Sequence, residues 1–247
     1  MPAAMADTGL DVTYAGVDDI IDRLGTGTLD EPERARVAHI SLEARRKHFI
    51  AGRVFLRHRL SSAAGHAVQP AAWQFANGEY GKPCVAPGMP QINFSTSHAS
   101  GMIAIATSPA AEVGVDLELM TGTQNTDPVA GQLSLRERAW LARQNEPDRW
   151  ASFLQLWTAK EAVSKLIGTG CAVDFSTIEV DVAAGLARCR GALIADGNQM
   201  SVDMETIEAE NGSYCLSVAR MLSTGSAGGV YSMELFMPPS MDTPAFL

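Results

Sequence analysis

The sequence has little of several features that mark whole classes of protein. Its four cysteines are scattered, with no Cys-x-x-Cys pair and no metal-ligand spacing, so we interpret them as reduced thiols in a cytoplasmic protein. No apolar run approaches the roughly eighteen residues of a membrane span, and the first residues lack the basic start and apolar core of a signal peptide. Basic residues are outnumbered, 19 against 28 acidic ones, for a net charge of −9. This charge disfavours nucleic acid or an anionic membrane as a partner.

The remaining composition is that of an ordinary globular protein with one large domain or two small ones. The 247 residues are 46% apolar and 19% charged, which is enough to bury a core. The first 28 residues favour a strand and a short helix, and a helical pattern runs from Asp30 and Pro32 to Leu60. Helix and strand patterns then alternate along the chain: short strands up to residue 119, helices over 134–143 and 150–167 with a stop at 168–170, and strands over 178–182, 187–194, 202–207 and 214–219. Residues 120–130 favour a loop.

Two acidic residues at alternate positions interrupt an apolar run, Val113 to Leu119. Residues i and i+2 of a strand share one face, so Asp116 and Glu118 are expected to lie side by side. Like charges this close repel unless a cation lies between them, and Mg²⁺ prefers oxygen ligands. A solvated strand edge is the alternative for this pair taken alone.

A second group of polar residues lies along one face of the predicted helix over 150–167. Trp157, Glu161 and Lys165 follow one another at steps of four. Glu161 and Lys165 taken alone also fit an ordinary helix salt bridge, and Trp157 fits a core position. Together with the acidic pair, they suggest a site for phosphoryl transfer.

The combination resembles the 4′-phosphopantetheinyl transferase family. Gly-Val-Asp-Leu-Glu at 114–118 and Trp-Thr-Ala-Lys-Glu-Ala-Val-Ser-Lys at 157–165 look like its two-part signature. Glu-Tyr-Gly-Lys-Pro at 79–83 and Phe-Ser-Thr-Ser-His at 94–98 resemble segments of its large, Sfp-type branch, although Ser95 stands where Asn is commoner. The resemblance covers residues 45 to 170, about half of the chain.

The resemblance implies an α+β fold of two similar subdomains related by a pseudo-twofold, with the active site at their interface. The expected boundaries are 1–112 for the coenzyme A 3′-phosphate and adenine side, 113–221 for the metal and catalytic helix, and 222–247 for a peripheral tail. The implied activity transfers the 4′-phosphopantetheine arm of coenzyme A to a serine of apo acyl or peptidyl carrier proteins. It uses Mg²⁺, or Mn²⁺ in its place, and releases 3′,5′-ADP. A cytoplasmic monomer serving fatty-acid, polyketide or nonribosomal peptide biosynthesis is expected, without nucleic acid or membrane partners.

The resemblance also implies which residues form the site. For the metal it implies Asp116, Glu118 and a third carboxylate, for which Glu137 is the candidate, although Ser134 with Glu137 is also a plain capping box. For catalysis it implies Glu161 as the base that takes the serine proton, Lys165 on the attacked phosphate, and Asp116. The residues expected to bind coenzyme A are Arg46, Lys47, Arg53, Lys82, Ser97, His98, Lys160 and Lys165.

The sequence leaves open the roles of several basic residues and the alternatives to the implied function. Six of the nineteen Lys and Arg residues fall between positions 45 and 59. Arg45, Arg57 and Arg59 are expected on a solvated helix face; the register of Arg46, Lys47 and Arg53 on the 3′-phosphate is not fixed, and His48 is an equal candidate. Lys160 could instead orient Glu161. The alternative functions are a carrier- or nucleotide-binding homologue without catalysis, and another Mg²⁺-dependent phosphotransferase or nuclease. The short trimeric branch of the family is disfavoured, because this chain is about twice as long.

Overall fold

The computed structural model describes residues 9–121, 131–168, 173–189, 199–221 and 232–236. The elements before residue 112 are β1 (Asp11–Gly16), α1 (Val17–Leu24), α2 (Glu31–Ala38), α3 (Glu43–Ala63), β2 (Phe75–Asn77), β3 (Pro83–Val85), β4 (Asn93–Ala99) and β5 (Met102–Ser108). Those after it are β6 (Val113–Leu119), α4 (Leu135–Leu141), α5 (Glu146–Ile167), β7 (Ile178–Asp181), β8 (Leu186–Cys189), β9 (Gln199–Ala209), β10 (Gly212–Met221) and β11 (Ser232–Leu235).

The helical stretch predicted over residues 30–60 is two helices. Asp30 and Glu33 form a capping box at the start of α2, as the Asp and Pro there predict. The chain leaves the helix after Ala38 and re-enters it at Glu43. Arg57 of α3 is fully buried; its guanidinium contacts Asp30 at 2.7 Å and Glu33 at 2.9 Å, and so fixes α2 against α3.

The strands form two main sheets, which confirms the predicted α+β class. One sheet has the order β11-β1-β5-β4 and the other β6-β10-β9-β8-β7, with β2 and β3 as a separate pair. Helix α3 packs on the first sheet and α5 on the second. The subdomain boundaries and the pseudo-twofold between the halves stay predictions.

Strand β11 comes from the segment predicted as a peripheral tail, yet it lies in the first sheet. It pairs in parallel with β1, with Asp11 opposite Ser232 and Tyr14 opposite Leu235. The next residue, Phe236, packs against Phe55 of α3, with the two rings tilted and their centres 5.4 Å apart. The chain therefore returns to its own first strand.

Strand β6 links the two main sheets, and both of its faces are covered. Val113, Val115 and Leu117 belong to a core cluster shared with β1, β5 and β10. The opposite face meets α5 so closely that a Cβ on Gly114 would lie 1.9 Å from the carbonyl oxygen of Ala162. Only glycine therefore lets this strand and this helix approach.

Some sequence predictions fall outside the described residues. They are most of the 120–130 loop, the helix stop after Gly168 and the end of the strand predicted over 187–194. Among the described helices, none combines the length and the apolar character that crossing a membrane requires.

Candidate active site

Asp116 lies at the centre of the candidate site, on the face of β6 that meets α5. The residue is 5% exposed. Oδ1 accepts from the Ser97 hydroxyl at 2.8 Å and from the Lys165 ammonium at 2.7 Å. Oδ2 is buried and has no hydrogen-bond partner among the described residues. One half of this carboxylate is therefore fixed and the other half is left without a partner.

Glu118 and Glu161 join Asp116 as a group of repelling carboxylates. Burial raises the pKa of Glu118, and the charges of Asp116 and Glu161 raise it further. Burial and the charge of Asp116 likewise raise the pKa of Glu161, against a lowering by Lys165. The alternation in β6 and the steps of four in α5 thus bring these side chains together, as the sequence predicts.

This group fits a hard divalent cation by its chemistry. It offers carboxylate oxygens, one of them buried without a partner, and more negative charge than Lys165 neutralises. Within the described part of the chain, no three potential ligand side chains converge tightly enough to form a metal cluster. Such a site suits Mg²⁺, which commonly uses one or two carboxylates and completes its shell with water and phosphate.

The structure does not bring Glu137 to this group, which corrects its prediction as a metal ligand. Glu137 is 2% exposed and forms the capping box with Ser134. Its Oε2 also contacts the Lys160 ammonium at 2.7 Å, and its Oε1 accepts from the backbone amide of Val180 at 2.8 Å. Both oxygens are occupied, so the capping alternative is the role that it fills.

Lys160 is the second correction, because it does not face a ligand. It is fully buried, and its ammonium donates to the carbonyl of Phe175 at 2.8 Å and to that of Ile178. Together with Glu137, it ties α5 to the start of α4 and to β7. Lys160 therefore fixes α5 against these elements and is not available to a ligand.

A cleft of about 830 Å³ lies between α2, α3 and β4 and carries much of the local positive charge. Its charged and polar lining consists of Arg36, His39, Ser41, Arg45, His48, Arg53, Thr96, Ser97 and His98. Arg45, Phe49 and Arg53 follow at steps of four, so one face of α3 forms a wall. Arg46 and Lys47 do not line the cleft, and Lys47 pairs instead with Asp18 at 2.8 Å.

The cleft also contains residues that sequence reasoning missed. Arg36 and His39 come from α2 and the turn after it, outside the basic run at 45–59. Arg36 lies 4.9 Å from the centre of the Phe49 ring. A helix break at residues 39–42 would have indicated that two helices border one cleft, but no Gly or Pro in the sequence marks this break.

Arg53 and His98, two of the predicted coenzyme A residues that line the cleft, contact other side chains. Arg53 forms an ion pair with Glu33 and stacks over Phe75 at 4.1 Å. His98 meets His48 edge-on, with ring centres 5.8 Å apart. Burial lowers the pKa of His98, and the neighbouring His48 and Lys165 lower it further, so this ring favours its neutral form.

Lys82 lies at the far end of α5, beside a smaller cleft. Its ammonium contacts Glu112 at 2.6 Å and the carbonyl of Leu166 at 3.2 Å, where the C-terminal end of the helix favours a cation. The cleft has a volume of about 280 Å³ and is lined by Tyr80, Gly81, Lys82, Pro83, Phe94, Ser95, Thr96, Lys165 and Gly168. Lys82 and Lys165 therefore share one cavity, and Thr96 lines both clefts.

Comparison with known proteins supplies the context for this geometry. Residues 112–219 match the model of the 4′-phosphopantetheinyl transferase superfamily. The chain is 30% identical over 150 residues to the 4′-phosphopantetheinyl transferase AcpT of Salmonella typhimurium, covering 60% of this chain and 73% of that protein. It is 30% identical to HetI of Nostoc over 59% of this chain and 62% of that one. For Sfp of Bacillus subtilis the identity is 29%, over 43% and 46%.

Fold and site together define an α+β protein with carboxylates and a lysine at the end of a basic cleft. The chain belongs to the 4′-phosphopantetheinyl transferase superfamily, as the matched region and the relatives show. The predicted family is confirmed, and the similarity to Sfp agrees with the predicted large branch.

Proposed function

We propose that this protein transfers the 4′-phosphopantetheine arm of coenzyme A to a serine of an apo acyl or peptidyl carrier protein. One observation carries the proposal: the basic cleft and the carboxylate group meet at Ser97. This residue lines the cleft, and its hydroxyl contacts Asp116. A ligand such as coenzyme A, with phosphates on the 3′ and 5′ positions of its ribose, could therefore reach the cleft and the carboxylate group at once.

The two clefts divide the ligand between them in this proposal. Arg36 and Arg45 are exposed in the larger cleft and form no ion pair with a described carboxylate, so they are free to take the 3′-phosphate. Arg53, shared with Glu33, and the neutral His98 would add hydrogen bonds. The smaller cleft, with Lys82 and Lys165, would take another part of the molecule. We leave Arg46, Lys47 and Lys160 out of the ligand site.

The chemical step follows from the residues around Asp116. The serine oxygen forms a bond to the phosphorus that carries the pantetheine arm, the bond from that phosphorus to the bridging oxygen breaks, and 3′,5′-ADP leaves. The serine proton passes to Glu161, whose raised pKa suits a general base. Lys165 would move its charge from Asp116 to the phosphate and stabilise the charge on the leaving group.

A divalent cation belongs to this proposal as a charge-neutralising group. Asp116 and Glu118 would hold Mg²⁺ or Mn²⁺, with Glu161 beside them. When bound, such a cation neutralises the pyrophosphate and acts as a Lewis acid. The protein supplies the oriented carboxylates and the burial that strengthens their charges.

The carrier protein and the setting are also proposals. We propose that the carrier docks at the loop predicted over residues 120–130, most of which lies outside the described residues. Shortly after this loop along the chain, Leu135 at the start of α4 is 80% exposed. An apolar contact there would make carrier affinity insensitive to salt. Action as a cytoplasmic monomer stays a prediction.

The test is a transfer reaction followed by intact mass. The protein is incubated with coenzyme A, Mg²⁺ and a panel of apo acyl and peptidyl carriers, with and without EDTA. We expect phosphopantetheine addition to at least one carrier, lost with EDTA and with Glu161→Gln. Binding of coenzyme A without addition to any carrier would instead favour the non-catalytic alternative.

A further inference from the structure

Two serines on β4 make the same bond to β6, one pleat apart. The Ser95 hydroxyl accepts from the backbone amide of Val115 at 3.0 Å, and the Ser97 hydroxyl accepts from that of Leu117 at 3.2 Å. The two strands belong to different sheets, and the hydroxyls link them where a backbone ladder is missing. Both serines are buried, at 6% and 7% exposure.

The serines differ in what their own protons do. The Ser97 hydroxyl donates to Oδ1 of Asp116 at 2.8 Å, whereas Ser95 has no carboxylate contact among the described residues. Because a hydroxyl has one proton, Ser97 cannot donate to a phosphate while it donates to Asp116. This use competes with the phosphate contact that the sequence predicts for Ser97.

The contact fixes the orientation of the Asp116 carboxylate. Ser97 and Lys165 both donate to Oδ1, and the backbone bond to Leu117 in turn fixes the Ser97 hydroxyl. The oxygen that remains, Oδ2, is buried and has no partner in the described structure. Two donors on one oxygen thus hold the carboxylate with its other oxygen available.

We propose that Ser97 is a positioning residue, which orients Asp116 so that Oδ2 is presented to a divalent cation, and is not a contact of the coenzyme A phosphate. The proposal rests on the proposed function for the presence of the cation. Hydrogen bonds from neighbouring groups commonly orient metal-binding carboxylates, and removing one typically lowers metal affinity by about 10- to 100-fold.

Ser95→Ala and Ser97→Ala form a matched pair for the test. Each removes one hydroxyl and one bond to a β6 amide, but only the second releases Asp116. Mn²⁺ binding is measured by electron paramagnetic resonance without coenzyme A or carrier, with Asp116→Asn as the reference for a lost site. Affinity for 3′,5′-ADP is measured by calorimetry in EDTA, and the free energy of unfolding by urea.

We expect Ser97→Ala to bind Mn²⁺ at least about 10-fold more weakly and to keep its affinity for 3′,5′-ADP. Ser95→Ala should keep its Mn²⁺ affinity while losing a similar amount of stability. Ser97→Thr, which keeps the hydroxyl, should retain Mn²⁺ binding, and it answers the question if Ser97→Ala fails to fold. Loss of Mn²⁺ binding in Ser97→Thr as well would count against the proposal.

Two other results would overturn the proposal. One is unchanged Mn²⁺ affinity in Ser97→Ala; the other is weakened 3′,5′-ADP binding in that variant with normal Mn²⁺ binding, which would restore the phosphate role. These outcomes are separate from the failure of the proposed function. If the protein transfers no phosphopantetheine but its variants show the expected Mn²⁺ affinities, the role of Ser97 stands. If Asp116→Asn binds Mn²⁺ as tightly as the parent, the cation site itself is rejected.

Discussion

Glu161 is half-buried in α5, and its raised pKa makes a direct prediction about rate and pH. We expect Glu161→Gln to lower the transfer rate about 10²- to 10⁴-fold, the usual contribution of a general base. In EDTA, the Glu161 carboxyl of the parent should titrate above the ordinary range for glutamate, because burial and the charge of Asp116 raise its pKa. Steady-state kinetics measures the transfer rate, and a nuclear magnetic resonance titration of the metal-free protein measures the pKa.

The control for this prediction is the affinity for 3′,5′-ADP, which Glu161→Gln should leave unchanged because Glu161 does not line either cleft. If Glu161 titrates only in the ordinary glutamate range in EDTA, its raised pKa is wrong, and an unchanged transfer rate in Glu161→Gln would reject its role as the base.

The buried pair of Lys160 and Glu137 makes a second prediction at the scale of single residues. Lys160→Met leaves the Glu137 carboxylate buried and unpaired, so we expect a loss of about 3–5 kcal/mol in the free energy of unfolding. Lys160→Met combined with Glu137→Gln should recover part of that loss, because the amide oxygen can still accept from the Val180 backbone. Urea unfolding of the single and double variants tests this.

Arg136 offers the matched control for the buried pair. It contacts Glu179 at 3.5 Å with its own side chain 75% exposed. Arg136→Met should therefore change stability by less than about 1 kcal/mol. An equal loss in Arg136→Met and Lys160→Met would mean that burial does not make the Lys160 pair special.

Part of the site could be predicted from residue patterns and part could not. The period of two in β6 and the period of four in α5 place Asp116, Glu118 and Glu161 correctly, because each pattern fixes a face. Glu137 and Lys160 could not be assigned this way. A Glu three positions after a Ser fits both a helix cap and a metal ligand, and only the ion pair between Glu137 and Lys160 in the structure decides between these roles.

The packing of β6 against α5 makes a prediction at the scale of elements. Gly114→Ala would place a methyl group 1.9 Å from the Ala162 carbonyl, so α5 must move. We expect a loss of about 3 kcal/mol or more, at the upper end of overpacking effects, together with weaker Mn²⁺ binding. Gly27→Ala is the control, because nothing lies within 4 Å of a Cβ there. Unchanged stability in Gly114→Ala would show that the two elements are not locked together.

The face that α3 turns to the larger cleft makes another prediction. Arg45→Ala should raise the KM for coenzyme A about 10-fold or more, since a hydrogen bond to a charged group contributes about 1.5–3 kcal/mol. Lys47→Ala should have little effect, because Lys47 lies on another face and pairs with Asp18. Kinetics with dephospho-coenzyme A completes the test.

Substrate lacking the 3′-phosphate should be used equally by Arg45→Ala and the parent. A KM that rises for Lys47→Ala but not for Arg45→Ala would restore the register that the sequence suggested. That register was open because all six basic residues of the segment fit a helix, and only the packing of α3 on α1 and the first sheet selects which face remains for a ligand.

Repulsion among the carboxylates makes the stability of the whole molecule depend on pH. Folding raises the pKa of Glu118 and Glu161 above their unfolded values. Such groups contribute full stability below the unfolded pKa, and the contribution is lost as pH rises through the folded pKa. In EDTA, Glu118→Gln should therefore be more stable than the parent at pH 8, and this advantage should shrink toward pH 4.

Urea unfolding at both pH values measures this advantage, and added Mn²⁺ should reverse its sign at pH 8 because only the parent keeps Glu118. Glu210→Gln, in the exposed turn after β9, serves as the control and should show neither effect. A pH-independent difference between Glu118→Gln and the parent would contradict the electrostatic explanation.

At the scale of the molecule, the α+β class and the family could be predicted from the sequence, but the position of β11 could not. Residues 222–247 are rich in Gly, Ser, Met and Pro, and four residues are too few to show a period. Their pairing depends on the free edge of β1, which lies more than two hundred residues away along the chain.

This pairing also constrains the order in which the molecule can be completed. β1 leaves the ribosome more than two hundred residues before its parallel partner β11. Until then, one edge of the first sheet exposes unpaired backbone groups, and Phe55 lacks its ring partner. The nascent chain must therefore keep this edge from pairing with other chains until β11 has been synthesised.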